Sequence, residues 1–432
     1  MTRQIARKAA FAQLATLFAL FSCATVFAAD GPSMKMPLEQ RVYVAARVYA
    51  SLSEFAHSQN APALDVDAAY RAYLQKALAS DDRTAFSLAG MEFLASFKNA
   101  HTLFIDMALA QQGGVLPFVA ESVRGQWVVT ESMSPGLSAG DVIEAIDGRP
   151  FARFIEDAGR VISASTLEGG RHLLFARMAM VTPYAHLFPQ QFVLTLAGGK
   201  QVAIDRSRLQ PASLATEGRW LEPGKVAYIR IRSFLGGDFE KRAVELAKEY
   251  REAKAIIVDV RGEPGGSTPS DLISFLMDRP WQGWAESTPV QMPYFRFRAA
   301  QGKWEYKAFE RPSLAWPSPI AQPAKDVFTG KLAILTDAGC YSACEDFVMP
   351  FKMNHRALIV GETTGGSTGN ADMIDLGQGM MVMIGVQRMS FPDGSPLEGV
   401  GIKPDVEASP SAEDLHAGKD TVLEAARAQL GQ

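Results

Sequence analysis

The sequence predicts an α+β protein with several domains, because three patterns follow one another along its 432 residues. Residues 30–112 carry apolar side chains at helical spacing, and residues 113–210 alternate apolar and polar side chains like β-strands. In residues 211–432, short apolar runs alternate with amphipathic stretches, which is typical of parallel strands joined by helices. We therefore expect a helical, a β-rich and an α/β domain.

The overall charge disfavours some classes of partner. The chain has 43 basic and 47 acidic residues and no long run of one sign, so we expect neither a nucleic-acid groove nor a basic membrane patch. No metal-binding or cofactor motif stands out, and we expect no cofactor. The sequence leaves the oligomeric state open.

Residues 1–29 have the layout of a secretory signal peptide. Basic residues precede a long uncharged apolar stretch, and Val26 and Ala28 suit a cleavage after Ala28. An uncleaved anchor and a lipoprotein site at Cys23 are the alternatives. We expect an exported protein, most simply in a bacterial periplasm, whose membrane contact is limited to this segment.

The helical domain is predicted from three amphipathic stretches. The first, "LEQRVYVAARVYASLSEFA", places Val42 and Ala45 on one face. The second, "LDVDAAYRAYLQKALAS", offers Asp67 as the N-cap and turns Leu74 and Leu78 inward. The third, "DRTAFSLAGMEFLASFKNAHTLF", repeats phenylalanine and leucine at helical spacing.

The β-rich and α/β domains are read from strand patterns. "GQWVVTES" and "QQFVLTLAGGKQVAI" alternate like strands, and a helical insertion is expected from residue 153 to about 180. Five apolar runs then predict the strands of a parallel sheet, with a helix "CEDFVMPFKMN" after the third. These runs are residues 226–234, 255–261, 331–338, 357–362 and 380–391.

The stretch "DAGCYSACEDF" places Ser342 between a strand and a helix. Serine at such a point is usually a helix N-cap, but the carboxyl ends of parallel strands are also where ligands bind. The amide of Ala343 could then donate to an oxyanion, and Gly265 or Gly266 in "RGEPGGS" could supply a second amide. Cys340 and Cys344 are expected to be unbridged, because a disulfide across four residues would be strained.

A serine nucleophile needs a base, and histidine is the usual one. The candidates are His101 in "FKNAHTLF" and, failing that, His172 or His186 in the helical insertion. The remaining histidines lie on polar stretches or at the end of a helix; they are His57, His355 and His416. The residues alone do not decide between these candidates.

"GCYSACEDF" followed by "ALIVGETTGG" resembles the tail-specific, or C-terminal processing, serine peptidase family. "AIIVDVRGEPGGS" looks like the family's oxyanion-hole segment, and "GLSAGDVIEAIDG" is similar to its PDZ domain signature. The resemblance covers nearly the whole chain after residue 29. It implies a PDZ-like middle domain, which would bind peptide C-termini, and a carboxyl-terminal catalytic domain of the crotonase-like, ββα-spiral kind.

The resemblance also implies the site residues. Many family members use a lysine base soon after the Val-Gly-Glu strand end, but Ser367 stands at that position here. The chain therefore looks like the branch typified by the tricorn core protease and the repeats of interphotoreceptor retinoid-binding protein, which implies His101 as the base. Ala100 replaces the serine that precedes the histidine in that branch. "LEGVGIKPD" implies Glu398 as the acid that orients the imidazole, directly or through Ser/Thr hydroxyls.

The expected function is that of an exported serine endopeptidase acting on peptides or proteins, with Ser342, His101 and Glu398 as its triad. Two competing carboxylates are given structural roles: Glu345 as a first-turn helix acid and Glu362 as a strand-end residue. A catalytically inactive ligand- or peptide-binding relative is the main alternative. A hydrolase of small esters or amides is less favoured, because the chain lacks a Gly-x-Ser-x-Gly elbow.

Overall fold

The computed structural model describes residues 35–56, 63–177, 182–207, 214–290, 292–302 and 313–431. The predicted signal peptide and His57 lie outside these residues. Within the described ranges, none of the helices combines the length and the apolar character needed to cross a bilayer.

Three helices open the fold: α1 (Leu38–Phe55), α2 (Val66–Ala79) and α3 (Arg83–Ala95). The N-cap of α2 is Asp65, which accepts from the amide of Ala68, and the predicted cap Asp67 lies inside the helix. Val42 and Leu78 are exposed, contrary to expectation. On α1 the prediction is confirmed for Ala45, which is buried. On α2 the buried residues are Tyr73 and Ala77, one position before the predicted Leu74 and Leu78.

A small antiparallel sheet covers these helices. It joins β1 (Leu103–Asp106), β18 (Met380–Gly385) and β17 (Ala371–Gly377) in that order. The run at 380–391 was expected in the parallel sheet, and this prediction is wrong because β18 pairs antiparallel with both neighbours. Residues of β17 and β18 share one apolar core with α1–α3, so residues 30–112 do not enclose a core of their own.

The middle part of the chain is built on an antiparallel sheet with strand order β2-β3-β4-β6-β7, and β5 pairs with β4. Short helices pack against it and form one apolar core with its strands. The strands are β2 (Phe118–Val123), β3 (Gln126–Ser132), β4 (Val142–Ile146), β5 (Arg149–Pro150), β6 (Gln191–Leu196) and β7 (Gln201–Asp205). The helices of this core are α5 (Phe151–Ala158) and α6 (Leu167–Phe175), with 3-10 turns at Gly159–Val161 and Ala185–Leu187. The preceding helix, α4 (Met107–Gly113), instead places Leu109 in the core of α1–α3.

The carboxyl-terminal part contains a second six-stranded sheet, with strand order β20-β16-β15-β10-β9-β8. All neighbours are parallel except β8, which pairs antiparallel with β9 at one edge. Every residue of β10 is buried, as a central parallel strand requires. The strands are β8 (Glu217–Glu222), β9 (Val226–Arg230), β10 (Ala255–Asp259), β15 (Lys331–Thr336), β16 (Leu358–Gly361) and β20 (Val406–Glu407).

Helices and short strands complete this part. Since β10 and β15 are parallel neighbours, the loops after them, residues 260–269 and 337–342, emerge side by side at the same edge. The helices are α7 (Asp238–Glu249), α8 (Ser270–Leu276), α9 (Pro293–Ala300), α10 (Ala343–Met353), α11 (Ala412–His416) and α12 (Thr421–Leu430). The peripheral strands are β11 (Trp281–Gln282), β12 (Ala285–Pro289), β13 (Ser313–Trp316), β14 (Ile320–Ala321) and β19 (Arg388–Ser390).

Candidate active site

Ser342 lies at the turn between β15 and α10, and its side chain does not cap the helix. Its backbone has φ 54° and ψ −121°, a conformation that L-residues rarely adopt and that typically costs about 1–3 kcal/mol. The hydroxyl instead lies 3.0 Å from Nε2 of His101. The helix-cap interpretation therefore fails, and the turn holds the oxygen toward the imidazole.

His101 approaches from the segment between α3 and β1. Its amide donates to Asn99 Oδ1 at 3.0 Å, and the Thr102 hydroxyl donates to the same oxygen at 3.1 Å. Burial lowers the pKa of His101 from 6.5 to about 4. The imidazole is consequently neutral at pH 7 and can accept a proton from Ser342.

Glu398 reaches the imidazole through a hydroxyl. His101 Nδ1 lies 3.1 Å from Ser367 Oγ, and Ser367 Oγ donates to Glu398 Oε2 at 3.4 Å. Ser165 Oγ donates to the other carboxylate oxygen, Oε1. The three predicted side chains are thus brought into one hydrogen-bonded chain that contains a fourth group, Ser367.

Sequence reasoning did not assign a role in the site to two serines, Ser367 and Ser165. Ser367 could have been found, because it occupies the place where many similar peptidases carry a lysine. Ser165 gave no signal, since it belongs to the helical insertion of the middle part and is 65 residues from its bonding partner Ala100. Its role depends on tertiary structure alone.

Glu345 is more than an acid in the first turn of a helix. It is fully buried and accepts hydrogen bonds from the Thr364 hydroxyl and from the amides of Gly366 and Ser367. Burial raises the pKa of this carboxyl to about 8. Glu345 therefore holds the loop that presents Ser367 to His101.

The glycine loop after β10 packs directly against the serine. A Cβ placed on Gly265, whose φ is +109°, would lie 2.6 Å from Ser342 Cβ. The amide of Gly265 does not face the serine oxygen as an expected oxyanion donor would, because it donates to the buried carboxylate of Glu263 at 2.9 Å. Gly266 and Ala343 are the remaining predicted donors, and Ala343 begins α10, where backbone N–H groups lack partners within the helix.

The two cysteines flank the serine and form a disulfide. Cys340 and Cys344 have Cα atoms 5.3 Å apart, within the range that a bridge requires. The prediction of unbridged thiols is wrong, because the turn at residues 341–343 brings the two side chains onto one side. The disulfide closes a short loop around Ser342.

The alternative histidines are engaged elsewhere. His186 Nδ1 contacts the Pro183 carbonyl oxygen at 3.1 Å. His172 lines a cavity of about 410 Å³ between the middle and carboxyl-terminal parts, beside Glu121 and Asp337. Ligand atoms of these three side chains lie within 4.8 Å of one another, so they are the group among the described residues that could hold a metal ion.

The charges around His172 raise its pKa. Burial lowers the pKa of His172, but the nearby carboxylates of Asp337 and Glu121 outweigh that effect and raise it above 6.5. Asp337 Oδ1 also accepts from the amides of Gly262 and Gly339, at 2.8 and 2.9 Å. This cluster therefore joins α6 of the middle part to the two loops at the sheet edge.

The fold has close counterparts among solved structures. Mature CPAF complexed with lactacystin aligns with a TM-score of 0.67 at 14% identity, covering 91% of this chain and 98% of that chain. The photosystem II D1 C-terminal processing protease aligns with a TM-score of 0.52 at 18% identity, covering 91% and 97%. The mixed α+β architecture is thus that of a C-terminal processing protease.

Comparison with known sequences indicates a peptidase family. Residues 225–408 match the model of Peptidase family S41. The probable CtpA-like serine protease of Staphylococcus epidermidis is 24% identical over 222 residues, which are 50% of this chain and 40% of that protein. Carboxyl-terminal-processing peptidase 2, chloroplastic, of Arabidopsis thaliana is 24% identical over 275 residues, 62% of this chain and 46% of that protein.

The chain is therefore similar to peptidase family S41 over residues 225–408, which confirms the family resemblance read from its motifs. It spans less than half the length of these two curated relatives. The narrower resemblance to the tricorn branch stays a prediction.

Proposed function

We propose that the protein is a serine endopeptidase that cleaves peptide bonds through an acyl-enzyme. The observation that carries this proposal is the 3.0 Å contact between Ser342 Oγ and the neutral, buried imidazole of His101. The match of residues 225–408 to a peptidase family supports the reaction class, and the absence of a lysine at position 367 supports histidine as the base.

In the proposed reaction, Ser342 Oγ attacks the peptide carbonyl carbon while its proton moves to His101 Nε2. The oxygen of the tetrahedral intermediate becomes negative and accepts from the amides of Ala343 and Gly266. The imidazolium then gives its proton to the leaving amine, and the C–N bond breaks. Water hydrolyses the ester by the same proton route, which restores Ser342.

Glu398 stabilises the imidazolium at a distance. Its carboxylate holds the Ser367 hydroxyl, and that hydroxyl oxygen accepts from the protonated Nδ1 of His101. The arrangement fixes the ring so that Nε2 faces Ser342, as the third member of a serine triad does. Four side chains would therefore act as one unit.

We also propose that the middle part binds peptide ends as a PDZ-like domain. Strand β2 stands at the edge of its sheet, and α6 packs beside it. An extended peptide can add to an exposed edge strand and gain main-chain hydrogen bonds. The cavity that includes Val119, Glu121 and His172 lies along this edge.

Export is proposed from two observations. The layout of residues 1–29 is that of a signal peptide, and the disulfide between Cys340 and Cys344 is of a kind that persists in oxidising compartments. The bacterial periplasm is the simplest such compartment.

The experiment that tests the proposed nucleophile is labelling with a fluorophosphonate probe. We expect the wild type to be labelled on Ser342 and the Ser342→Ala variant to be unlabelled, because only the base-assisted hydroxyl is reactive enough to be phosphonylated. Ser274→Ala, which removes a half-buried serine hydroxyl on α8, is the matched control and should label normally. Labelling that survives Ser342→Ala refutes the assignment, and a wild type that neither labels nor cleaves peptides indicates the inactive binding protein.

A further inference from the structure

One short segment of the middle part contacts the site at several points. Ser165 Oγ donates to Glu398 Oε1 and accepts from the amide of Ala100 at 3.2 Å. Ala100 immediately precedes His101, so one hydroxyl touches both the acid and the backbone that carries the base. Ser165 is buried, which shields these bonds from water.

The next residues fix Ser165 in place. Thr166 Oγ1 caps α6 by accepting from the Gly169 amide at 3.1 Å, and it donates to the Gly365 carbonyl oxygen at 3.2 Å. Gly169 packs on the residue before Ser342, since a Cβ there would lie 1.7 Å from the phenol oxygen of Tyr341. The amino-terminal end of α6 is therefore held against both loops that bear Ser367 and Ser342.

Glu398 accepts from a serine hydroxyl on each of its carboxylate oxygens. Ser367 Oγ donates to Oε2 at 3.4 Å, at the long end of the hydrogen-bond range, and Ser165 Oγ donates to Oε1. Hydrogen bonds to an ionised acceptor are stronger than those between neutral groups. Ser165 therefore helps to hold the carboxylate in the position from which it reaches Ser367.

We infer that Ser165 is a positioning residue, through which docking of the middle part of the chain completes the site. This inference rests on the proposed function. Ser165 does not touch the substrate or the reacting atoms. It orients Glu398, Glu398 orients Ser367, and Ser367 orients the imidazole. Without the Ser165 hydroxyl, Glu398 loses the donor to its Oε1 atom, and the imidazole is held less well in line with Ser342.

The test compares Ser165→Ala with Ser163→Ala. Ser163 lies two residues away and is also buried, and its hydroxyl has no hydrogen-bond partner within the described part of the chain, so it controls for loss of a buried oxygen. We expect Ser165→Ala to lower kcat about 10- to 100-fold, as loss of a hydrogen bond to a charged group does, with KM unchanged. Ser163→Ala should leave kcat within about twofold, since no bond is lost.

A double-mutant cycle identifies the route of the effect. In a Glu398→Ala background, Ser165→Ala should change kcat no further, because the carboxylate on which it acts is gone. Ser342 should still be labelled to completion in every variant, only more slowly where Ser165 is replaced. If the wild type is not labelled, the proposed nucleophile is contradicted, and not the positioning role of Ser165.

Three results would overturn the inference. They are a Ser165→Ala variant with the kcat of Ser163→Ala, a full Ser165→Ala effect that persists without Glu398, and a loss confined to KM. If the Ser165→Ala variant does not fold, the double variant Ser165→Ala/Glu398→Ala should fold, because it also removes the carboxylate that has lost its Ser165 donor. Circular dichroism measures whether each variant is folded. A double variant that stays unfolded contradicts the pairing.

Discussion

At the scale of single residues, burial decides the protonation state of the base. His101 is 9% exposed, and the loss of water around its ring disfavours the charged form. The unfolded chain takes up this proton near pH 6.5, whereas the folded chain does so only near pH 4. His101 therefore contributes stability above pH 6.5, and that contribution is lost as the pH falls toward 4.

The same pKa predicts the pH dependence of cleavage. Because only the neutral imidazole can accept the Ser342 proton, kcat/KM should stay high at pH 6 and fall through an acid limb near pH 4. A lysine base, with an ordinary pKa of about 10.4, would place this limb far higher. Peptide cleavage measured across this pH range checks the expectation.

The control for this profile is His416→Gln, which alters an exposed histidine on α11. Its acid limb should coincide with that of the wild type. A limb above pH 7 in the wild type would contradict a buried histidine as the base.

At the scale of elements, the sheet edge depends on a close approach of two loops. Gly265 follows β10, Ser342 follows β15, and only the absence of a side chain on Gly265 allows their backbones to meet. The amide of Gly265 meanwhile secures Glu263, whose pKa burial raises to about 8. The Glu263 carbonyl oxygen accepts from the amide of Tyr341 at 3.2 Å, which joins the two strand-end loops next to the serine.

We predict that Gly265→Ala lowers kcat/KM at least about 100-fold, because a Cβ 2.6 Å from Ser342 Cβ must displace the nucleophile and a misplacement of about 1 Å can cost that much. The φ of +109° adds strain for alanine. Kinetics and fluorophosphonate labelling measure the loss.

Gly262→Ala is the matched control. Gly262 lies in the same loop at φ +69°, but a Cβ there would have no atom within 4 Å. Its variant should show a modest loss of stability and nearly normal kinetics. Equal losses of activity in both variants would point to loop strain rather than to contact with the serine.

Local patterns predicted the helices better than their buried faces. The stretches that became α1, α2 and α3 were recognised from periodicity, but Asp65 rather than Asp67 caps α2. The inward face of α1 is set by β17 and β18, which lie more than 300 positions later in the chain. Periodicity within one helix carries no information about such a distant partner.

At the scale of the whole molecule, the disulfide and the sheet edge combine to hold the turn at Ser342. The bridge closes a loop of only a few residues, so it removes little freedom from the unfolded chain. For a loop of five residues, the chain-entropy treatment gives about 2 kcal/mol.

We therefore predict that the double variant Cys340→Ala/Cys344→Ala unfolds with a free energy about 2 kcal/mol lower than that of the wild type, as measured by urea titration. Reductant should lower the stability of the wild type by a similar amount and leave the double variant unchanged. The absence of a reductant effect on the wild type would show that the bridge is absent in solution, and an equal effect on the double variant would show that the reductant acts elsewhere.

The candidate site was predictable only where motifs are local. "GCYSACEDF" identified Ser342, and similarity to a family drew attention to His101 and Glu398, which the structure brings into one hydrogen-bonded chain. A link through a hydroxyl was anticipated, but the anchor at Ser165 was beyond reach because it depends on how separate segments dock. The occupied amide of Gly265 was beyond reach because it depends on the conformation of its loop. The disulfide was misjudged for the same reason, since the turn between its cysteines is made by the surrounding loops.

The wide spacing of the site along the chain has a consequence for biosynthesis. His101 comes early, Ser165 comes later, Ser342 later still and Glu398 near the end. A ribosome must release the chain through Glu398 before these groups can assemble. Translation products that stop short of that residue would accordingly lack the complete site.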